Sequence, residues 1–505
     1  MKLTYKIDFN STNSYYKDII NDLIKEFEVN ATCVQYRSFL AINIDEEEEK
    51  LEAFFKFLES KLPLSIFLGK SSVVDNIEDS FEPLANNDEQ QNIAISADEI
   101  MDIYQNSANF NTEAKAIKSG EIVTVKTSNG LKKVAIPSLK NRITLGEDVN
   151  LMVINLNAIN NLLAVNQRDI QLLSSIERPL VKLKFNILRN SEKEYSNTNF
   201  VNTKLPDDTV SYELATALRK EGIDFVIYTE ESSENDLEVT YNDEQALIVR
   251  GDKALFPKYD YTLNERFDSS KEYFEKNGGV YKATLSQLNK RLEKSIGVYM
   301  STQSYESSIG VNVPGKGIKE IIKIPNVMTD FDICMEDIEG IDENTERLIK
   351  NYKEKFPEIF ESKPLLEGTH GFETILNLTA HMIGLRDANE LESKAHEFSA
   401  KSGLDVAYKV AKIDDVNYLD YRKVVQSIMS YKIAGVENNM LAFSVFESLS
   451  EFIVDQVMKI NSELKCRDVI LCGDMFANSI LLSKTQKELK TLKVLLPKEY
   501  PLDII

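Results

Sequence analysis

Asp468-Val469-Ile470-Leu471-Cys472-Gly473-Asp474-Met475-Phe476-Ala477-Asn478 is the stretch on which the reading of the fold turns. Its unbroken apolar run reads as a strand buried on both faces, Gly473 ends it, and a helical pattern follows to about Lys490. Backbone amides at such a strand-glycine-helix corner can approach a phosphate or an adenosine. Glycine serves tight packing at a turn equally well. From spacing alone, tight packing at the turn is the expected role of this corner and nucleotide contact the alternative.

Upstream of this corner, Ile296 to Gln303, Ser307 to Val313 and Ile318 to Ile324 read as three strands in succession, a meander of the kind that opens many actin-like ATPase folds. The region between is mainly helical, with Ala442, Val445, Phe446, Leu449 and Ile453 as its clearest stripe. Further back, Ile122 to Val125, Leu151 to Ile154, Leu180 to Leu183 and Phe225 to Tyr228 are strand runs, and Ala215 to Arg219 is helical, which together give a mixed α/β region.

The first seventy residues alternate in order. Leu3 to Ile7 has a strand period, and Tyr16, Ile19, Ile20, Leu23 and Phe27 share one helical face. Cys33 to Ile44 reads as two strands turning near Arg37. A second helix carries Leu51, Phe54, Phe55, Leu58 and Leu62, with Asp45 as its expected N-cap and Glu46 to Glu49 on the positive end of its dipole, so the acidic run needs no ligand. Leu64 to Leu68 closes a split βαβ unit of ferredoxin-like order. Residues 71 to 108 read as a linker with at most one short helix near Ala97 to Tyr104. The expected domains are thus 1–70, 109–260 and 261–505.

Composition bounds the function. With 81 acidic and 59 basic residues the net charge is -22, which opposes a general nucleic-acid or anionic-membrane binder. The four cysteines, Cys33, Cys334, Cys466 and Cys472, form no C-x-x-C pair, so neither a disulfide framework nor a zinc ribbon is available. Charges stand in Met1 to Asp8 where a signal peptide needs its apolar core, and a cytoplasmic location is expected. Val149 to Gln167 is uncharged but carries six asparagines, and it reads as buried strand plus loop rather than a membrane span.

Two other motifs carry little chemistry. Gly310 to Gly317 has the G-x-x-x-x-G-K spacing of a phosphate loop, but Gly317 replaces the magnesium-holding hydroxyl and the segment joins two strands, so a Pro-Gly hairpin is expected. Only three histidines occur, and His370 and His381, on one helical face, would lie ~16 Å apart, too far to share a metal. Packing or surface roles are expected for these two and for His396.

The stretch around Gly473 resembles the strand-Gly-Gly-x-Phe-Gln-Asn segment of HypF, the carbamoyltransferase of [NiFe] hydrogenase maturation. Ile375 to Leu385 is similar to that family's helix ending in Leu-Gly-Leu, Glu392 to Phe398 to its Glu-Gly-x-Ala-Ala helix, Ala442 to Phe446 to its Ala-x-x-Phe-His, and Pro501 to Asp503 to its terminal Pro-x-Asp. Gly120 to Lys126, Lys140-Asn141-Arg142 and Ser175 to Pro179 resemble its YrdC-like nucleotide domain, whose Lys-x-Arg holds phosphates. The first seventy residues match its acylphosphatase domain by topology.

The departures fall on chemistry. Asn10 to Ser14 has neither the glycines nor the arginine of an acylphosphatase anion loop, and no zinc-finger cysteines or His-x-x-x-His motif are present. Thr229-Glu230-Glu231 stands where Thr-Ser-Gly-Asn would complete the YrdC-like site. Asp474 replaces the second glycine and sets a carboxylate against any bound phosphate. The sequence also stops two residues after Asp503, before the family's following glycine-rich segment.

The resemblance therefore implies a multidomain α+β and α/β chain with an acylphosphatase-like domain, a YrdC-like domain and a reduced actin-like carbamoyltransferase domain. It implies an accessory protein of hydrogenase maturation, bound to maturation proteins or the hydrogenase large subunit, with no catalytic or metal residue assigned. ATP is the only candidate cofactor, on Lys140 and Arg142 or on Gly473 and Asn478. Two alternatives stay open: an active transferase of the HypF type, and an acidic protein-binding module unrelated to hydrogenases.

Overall fold

Alternation along the first strand, β1 (Lys2–Phe9), turns Ile7 and Phe9 into a core that the stripe of helix α1 (Tyr15–Phe27) completes with Tyr16, Ile20 and Leu23. Strands β2 (Ala31–Gln35) and β3 (Phe39–Asp45), helix α2 (Glu48–Lys61) and strand β4 (Leu68–Val74) follow. The sheet order β4-β1-β3-β2 with two crossover helices is the ferredoxin-like arrangement expected.

Three details differ from the sequence expectation. The closing strand is the polar, exposed Leu68–Val74 and not the apolar run before it, so an edge at residue 70 falls inside β4. Ile66 and Phe67 are buried as loop, because the backbone and hydroxyl there serve another partner, Glu177. Asp45 ends β3 and does not cap α2. The N-cap is Glu47, with no side-chain cap bond, and Glu46 pairs with Lys50 at 2.7 Å.

The computed structural model describes residues 2–78, 81–84, 97–128, 130–146, 148–186, 192–231, 237–242, 245–251, 259–260, 265–267, 269–302, 306–364, 366 and 371–504. Contacts divide the chain into two units, residues 1–270 with 498–501, and residues 271–497 with 502–505.

The rest of the first unit begins with helices α3 (Ala97–Asn106) and α4 (Asn111–Lys118), then β5 (Val123–Thr127), β6 (Gly130–Ala135), α5 (Leu139–Leu145) and β7 (Asn150–Val153). It continues through α6 (Gln167–Ser174), β8 (Leu180–Lys184), β9 (Phe200–Lys204), α7 (Thr209–Lys220), β10 (Phe225–Glu230), β11 (Glu238–Asn242) and β12 (Gln245–Arg250). These strands form one mixed sheet in the order β12-β11-β8-β9-β7-β10-β6-β5. Ala114, Ile117, Leu214 and Leu218 pack α4 and α7 onto it through Val134, Met152 and Val226. A short pair, β13 (Tyr259–Asp260) and β14 (Glu265–Arg266), stands apart from that sheet.

The second unit starts within α8 (Ser270–Asn277), at Lys271, and continues through α9 (Val280–Gln287) to the meander β15 (Ser295–Tyr299), β16 (Ser308–Val313) and β17 (Gly317–Lys323). Five helices follow: α10 (Phe331–Glu339), α11 (Glu343–Lys355), α12 (Pro357–Glu361), α13 (Gly371–Ile383) and α14 (Ala388–Ala395). A hairpin, β18 (Lys409–Ile413) and β19 (Val416–Asp420), leads to α15 (Tyr421–Ile433) and the long α16 (Asn438–Leu464). Strand β20 (Asp468–Cys472), helix α17 (Ser479–Glu488) and strand β21 (Lys493–Leu495) complete it. The sheet runs β18-β19-β17-β16-β15-β20-β21, and the expected stripe of α16 is buried from Leu441 to Ser450. Among the described residues no helix is long and apolar enough to cross a membrane.

Within the first unit, the Glu177 carboxylate is only 2% exposed and gathers donors from the N-terminal fold. It accepts from the Tyr15 hydroxyl at 2.6 Å, the Ile66 amide at 3.0 Å and the Ser65 hydroxyl. Burial raises its pKa, and these donors pull the other way. Removing the carboxylate strands three buried donors, so Glu177→Ala should destabilise by roughly 2–4 kcal/mol, and Glu177→Gln by less. Urea unfolding of the two variants beside the parent chain measures both.

Candidate functional site

Strand β20, buried at all five positions, runs parallel to β15 with Tyr299 opposite Cys472. Both strands therefore end at the same level, where a phosphate would meet the corner. Gly473 has φ +103°, and a β-carbon there would lie 1.9 Å from the Met300 carbonyl oxygen. Tight packing is thus what glycine provides at this corner. The amides of the corner are also spoken for. Gly473 N–H donates to the Leu502 carbonyl at 2.8 Å, Met475 N–H to Met300 at 3.3 Å, and Asp474 N–H to the Asp503 carboxylate at 3.2 Å.

Asp474 does more than oppose an incoming anion. Its carboxylate accepts both the backbone amide of Thr302, at 2.7 Å, and the Thr302 hydroxyl. Thr302 lies just past β15, and Asp474 holds its donors where an external oxyanion would otherwise be held. Asp503, 2% exposed, accepts from the Tyr299 hydroxyl and the Ile504 amide, both at 2.8 Å. Burial first, then the neighbouring Asp474 charge, push its carboxyl up to about 7. Asn478 turns out to be the N-cap of α17: its side-chain oxygen accepts from Ile480 and Leu481, each at 3.0 Å. Only its side-chain NH2, buried and without a hydrogen bond, is left to offer.

The Lys-x-Arg pair does not converge. Both residues sit on α5, capped by Ser138, and two positions along a helix point to nearly opposite sides. Lys140 is exposed. Arg142 is 4% exposed and donates to the Asn197 side chain, while its Nε is buried without a hydrogen-bond partner.

Nearby, the structure assembles a cluster that the sequence reading missed. Lys132, fully buried, lies 3.5 Å from Glu230 and 3.6 Å from Asp207. Lys204, equally buried, pairs with Asp207 at 2.6 Å. The Asp208 carboxylate accepts the Ser128 amide at 2.6 Å. The signal was present in β6: in Leu131-Lys132-Lys133-Val134, a period of two puts Lys132 on the inward face of Val134. Glu230, expected as a broken site residue, is the counter-ion.

The remaining candidates fall to structural roles. Gly310 to Gly317 is the β16–β17 hairpin, with Val313 opposite Gly317. His381 is buried, bonds the Ile359 carbonyl at 2.6 Å and has its pKa lowered by burial. His396 follows the last turn of α14, and His370 lies outside the described residues. Among the described residues no group of three or more histidine, cysteine or acidic side chains could hold a metal.

Comparison with known proteins gives the class first. Residues 377–503, which include Gly473 and Asn478, match the family model described as carbamoyltransferase, Kae1-like domain, second subdomain. The fold of the chain is then that of HypF. Full-length HypF in a phosphate- and nucleotide-bound form is matched over 99% of this chain and 96% of that one, with a TM-score of 0.64 at 14% identity. HypF of T. kodakarensis is matched equally far, with a TM-score of 0.64 at 11% identity. Protein HydE of Wolinella succinogenes is 23% identical over 426 residues, 78% of this chain and 74% of HydE. The chain therefore has a HypF-like fold, a multidomain α+β architecture.

Two substitutions probe the corner. Gly473→Ala should cost at least ~3 kcal/mol or prevent folding, since the added carbon meets backbone; circular dichroism and thermal unfolding report it. Asp503 has a folded-state pKa of about 7, above the ordinary carboxyl value of about 4. Its contribution to stability is therefore full below about pH 4 and is lost as pH rises through 7. Asp503→Asn should flatten that decline, leaving the variant more stable than the parent at pH 8 by on the order of a few kcal/mol. Melting curves from pH 5 to pH 8 give the comparison.

Proposed function

We propose that this chain is a cytoplasmic accessory protein of [NiFe] hydrogenase maturation that acts through its surfaces rather than through carbamoyl transfer. Its partners are maturation proteins or the hydrogenase large subunit. The observation that carries the reading is the Asp474 carboxylate on the amide and hydroxyl of Thr302, which gives the corner an internal anion in place of a nucleotide phosphate. Under the same reading residues 1–70, 109–260 and 261–505 are the acylphosphatase-like, YrdC-like and carbamoyltransferase-like parts. The β4-β1-β3-β2 order supports the first of these, and the Kae1-like match over 377–503 supports the last.

A second reading, a surviving transferase that uses ATP, has one observation in its favour. The buried Arg142 Nε has no hydrogen-bond partner, and a guanidinium in that state is suited to an oxyanion.

Complementation separates the two. In a strain lacking the gene, Arg142→Met, which keeps the packing volume and removes the charge, should restore most hydrogenase activity. Leu449→Asp, a charge in the core of α16, should restore none because the protein unfolds. A stably folded Arg142→Met protein that restores nothing makes the transferase reading the correct one.

A further inference from the structure

Strands β15, β20 and β21 run parallel, with Ser295, Asp468 and Lys493 level across them. Lys294 and Arg467, the residues just before β15 and β20, therefore lie side by side, and Lys493 opens β21 next to them. Lys465, one position past α16, joins this end of the sheet from the helix. This is the end of β20 opposite Gly473, away from the corner already described. At a strand spacing of about 4.8 Å, the three strand openings span roughly 10 Å.

Four exposed cations are thus gathered in a chain with 81 acidic residues against 59 basic ones, where spare carboxylates are plentiful. The carboxylates adjacent in sequence to Lys294 and Arg467 are Glu293 and Asp468, and both pair with Lys290, at 2.6 and 3.0 Å. Among the described residues no carboxylate forms an ion pair with Lys294, Lys465, Arg467 or Lys493. Lys294 Nζ donates to the Leu464 carbonyl at 3.0 Å instead. Like charges level on adjacent strands repel, so this end of the sheet carries an electrostatic cost that an anion from outside would remove.

In the same place the loop before β15 holds Leu292 out to solvent at 87% exposure, the highest of any large apolar side chain among the described residues. A single exposed leucine needs no explanation by itself, but this loop is clamped on both sides of it. Asn312, 5% exposed on β16, donates through Nδ2 to the Arg291 carbonyl at 3.1 Å and to the Glu293 carbonyl at 2.7 Å. The Lys290 amide donates to the Leu285 carbonyl at 2.8 Å, and the Arg291 guanidinium donates to the Asn277 side chain. Leu292 is fixed outward beside Lys294, so covering it needs little further ordering of the loop.

We propose that Leu292 with Lys294, Lys465, Arg467 and Lys493 is a docking patch for an acidic segment of a partner protein, one whose carboxylates meet the four cations and whose apolar side chain covers Leu292. Charge complementarity selects carboxylates, and the leucine selects a polypeptide that carries an apolar group among them. A nucleic acid or an anionic membrane presents negative charge over a far wider area than the patch and meets the net charge of -22 around it. A short acidic segment does not, since exposed charges beyond a Debye length of about 8 Å are screened. The proposal stands independently of the maturation reading, because it rests on the patch alone.

The test uses the full chain and, as probe, a fluorescently labelled synthetic peptide of glutamates around one central leucine, followed by anisotropy at physiological ionic strength. The parent should bind it and should not bind the matching lysine peptide. Arg467→Glu/Lys493→Glu should weaken binding by roughly tenfold or more. Lys115→Glu/Lys126→Glu, an equal charge change at exposed positions of the first unit, should leave it within about twofold of the parent. Leu292→Ser keeps every charge and should weaken the leucine peptide without changing the affinity of a peptide that has serine in its place. All five positions are exposed, so the variants should melt with the parent. If the patch reversal melts lower, Arg467→Gln/Lys493→Gln makes the same comparison. Equal affinity in the patch and control reversals, indifference of the leucine peptide to Leu292→Ser, or tighter binding of a thymidine oligonucleotide or of phosphatidylserine vesicles than of the peptide would overturn the proposal.

Discussion

The carbonyl oxygen of Met300 lies where any residue but glycine at 473 would place its β-carbon. This contact sets how closely β15 and β20 can end side by side, and the polar corner beyond them follows from it. Met300 accepts the Met475 amide and donates its own to Cys472, while Gly473 reaches Leu502. With those bonds made, Asp474 comes within reach of Thr302 and Asp503 within reach of Tyr299. A steric requirement at one backbone position thereby decides which carboxylates are brought together, and it is their mutual charge and burial that lift Asp503 out of the ordinary carboxyl range.

A common solution recurs at three turns. The amides of Thr12, Ser128 and Thr302 each donate to a carboxylate from elsewhere in the chain, those of Glu499, Asp208 and Asp474. Hydrogen bonds to a charged acceptor are the stronger kind, and each satisfies a backbone group that would otherwise need water or a ligand. In a chain with 81 acidic residues such acceptors are plentiful. The excess of negative charge disfavours polyanionic partners and also supplies internal substitutes for them.

Elements with strong periodicity were readable from the sequence: β1, α1, the meander, α16 and the strand into Gly473 all lie where apolar spacing puts them. What escaped was set by tertiary partners. The closing strand of the N-terminal sheet is β4, polar and on the edge, because the apolar run before it is drawn as loop to Glu177, more than a hundred residues away in sequence. Gly473 and Asn478 were rightly placed at a corner, but their groups are taken by packing and by a helix cap that only coordinates reveal. Lys140 and Arg142 looked like a pair in sequence, and a helix separates them. The Lys132 cluster needed knowledge that β9 and β10 bring Lys204 and Glu230 to the same depth, which no local pattern in β6 contains.

The contact between Thr12 and Glu499 spans 487 positions of sequence. During synthesis the loop after β1 is made 487 residues before its carboxylate partner. At elongation rates of about 5–20 residues per second, the interval is roughly half a minute to a minute and a half. Throughout that time the N-terminal fold can form its sheet and helices while its Thr12 donors face solvent. The nascent protein thus passes through a stage in which this loop is chemically different from that of the folded molecule, until Glu499 arrives to accept its two donors.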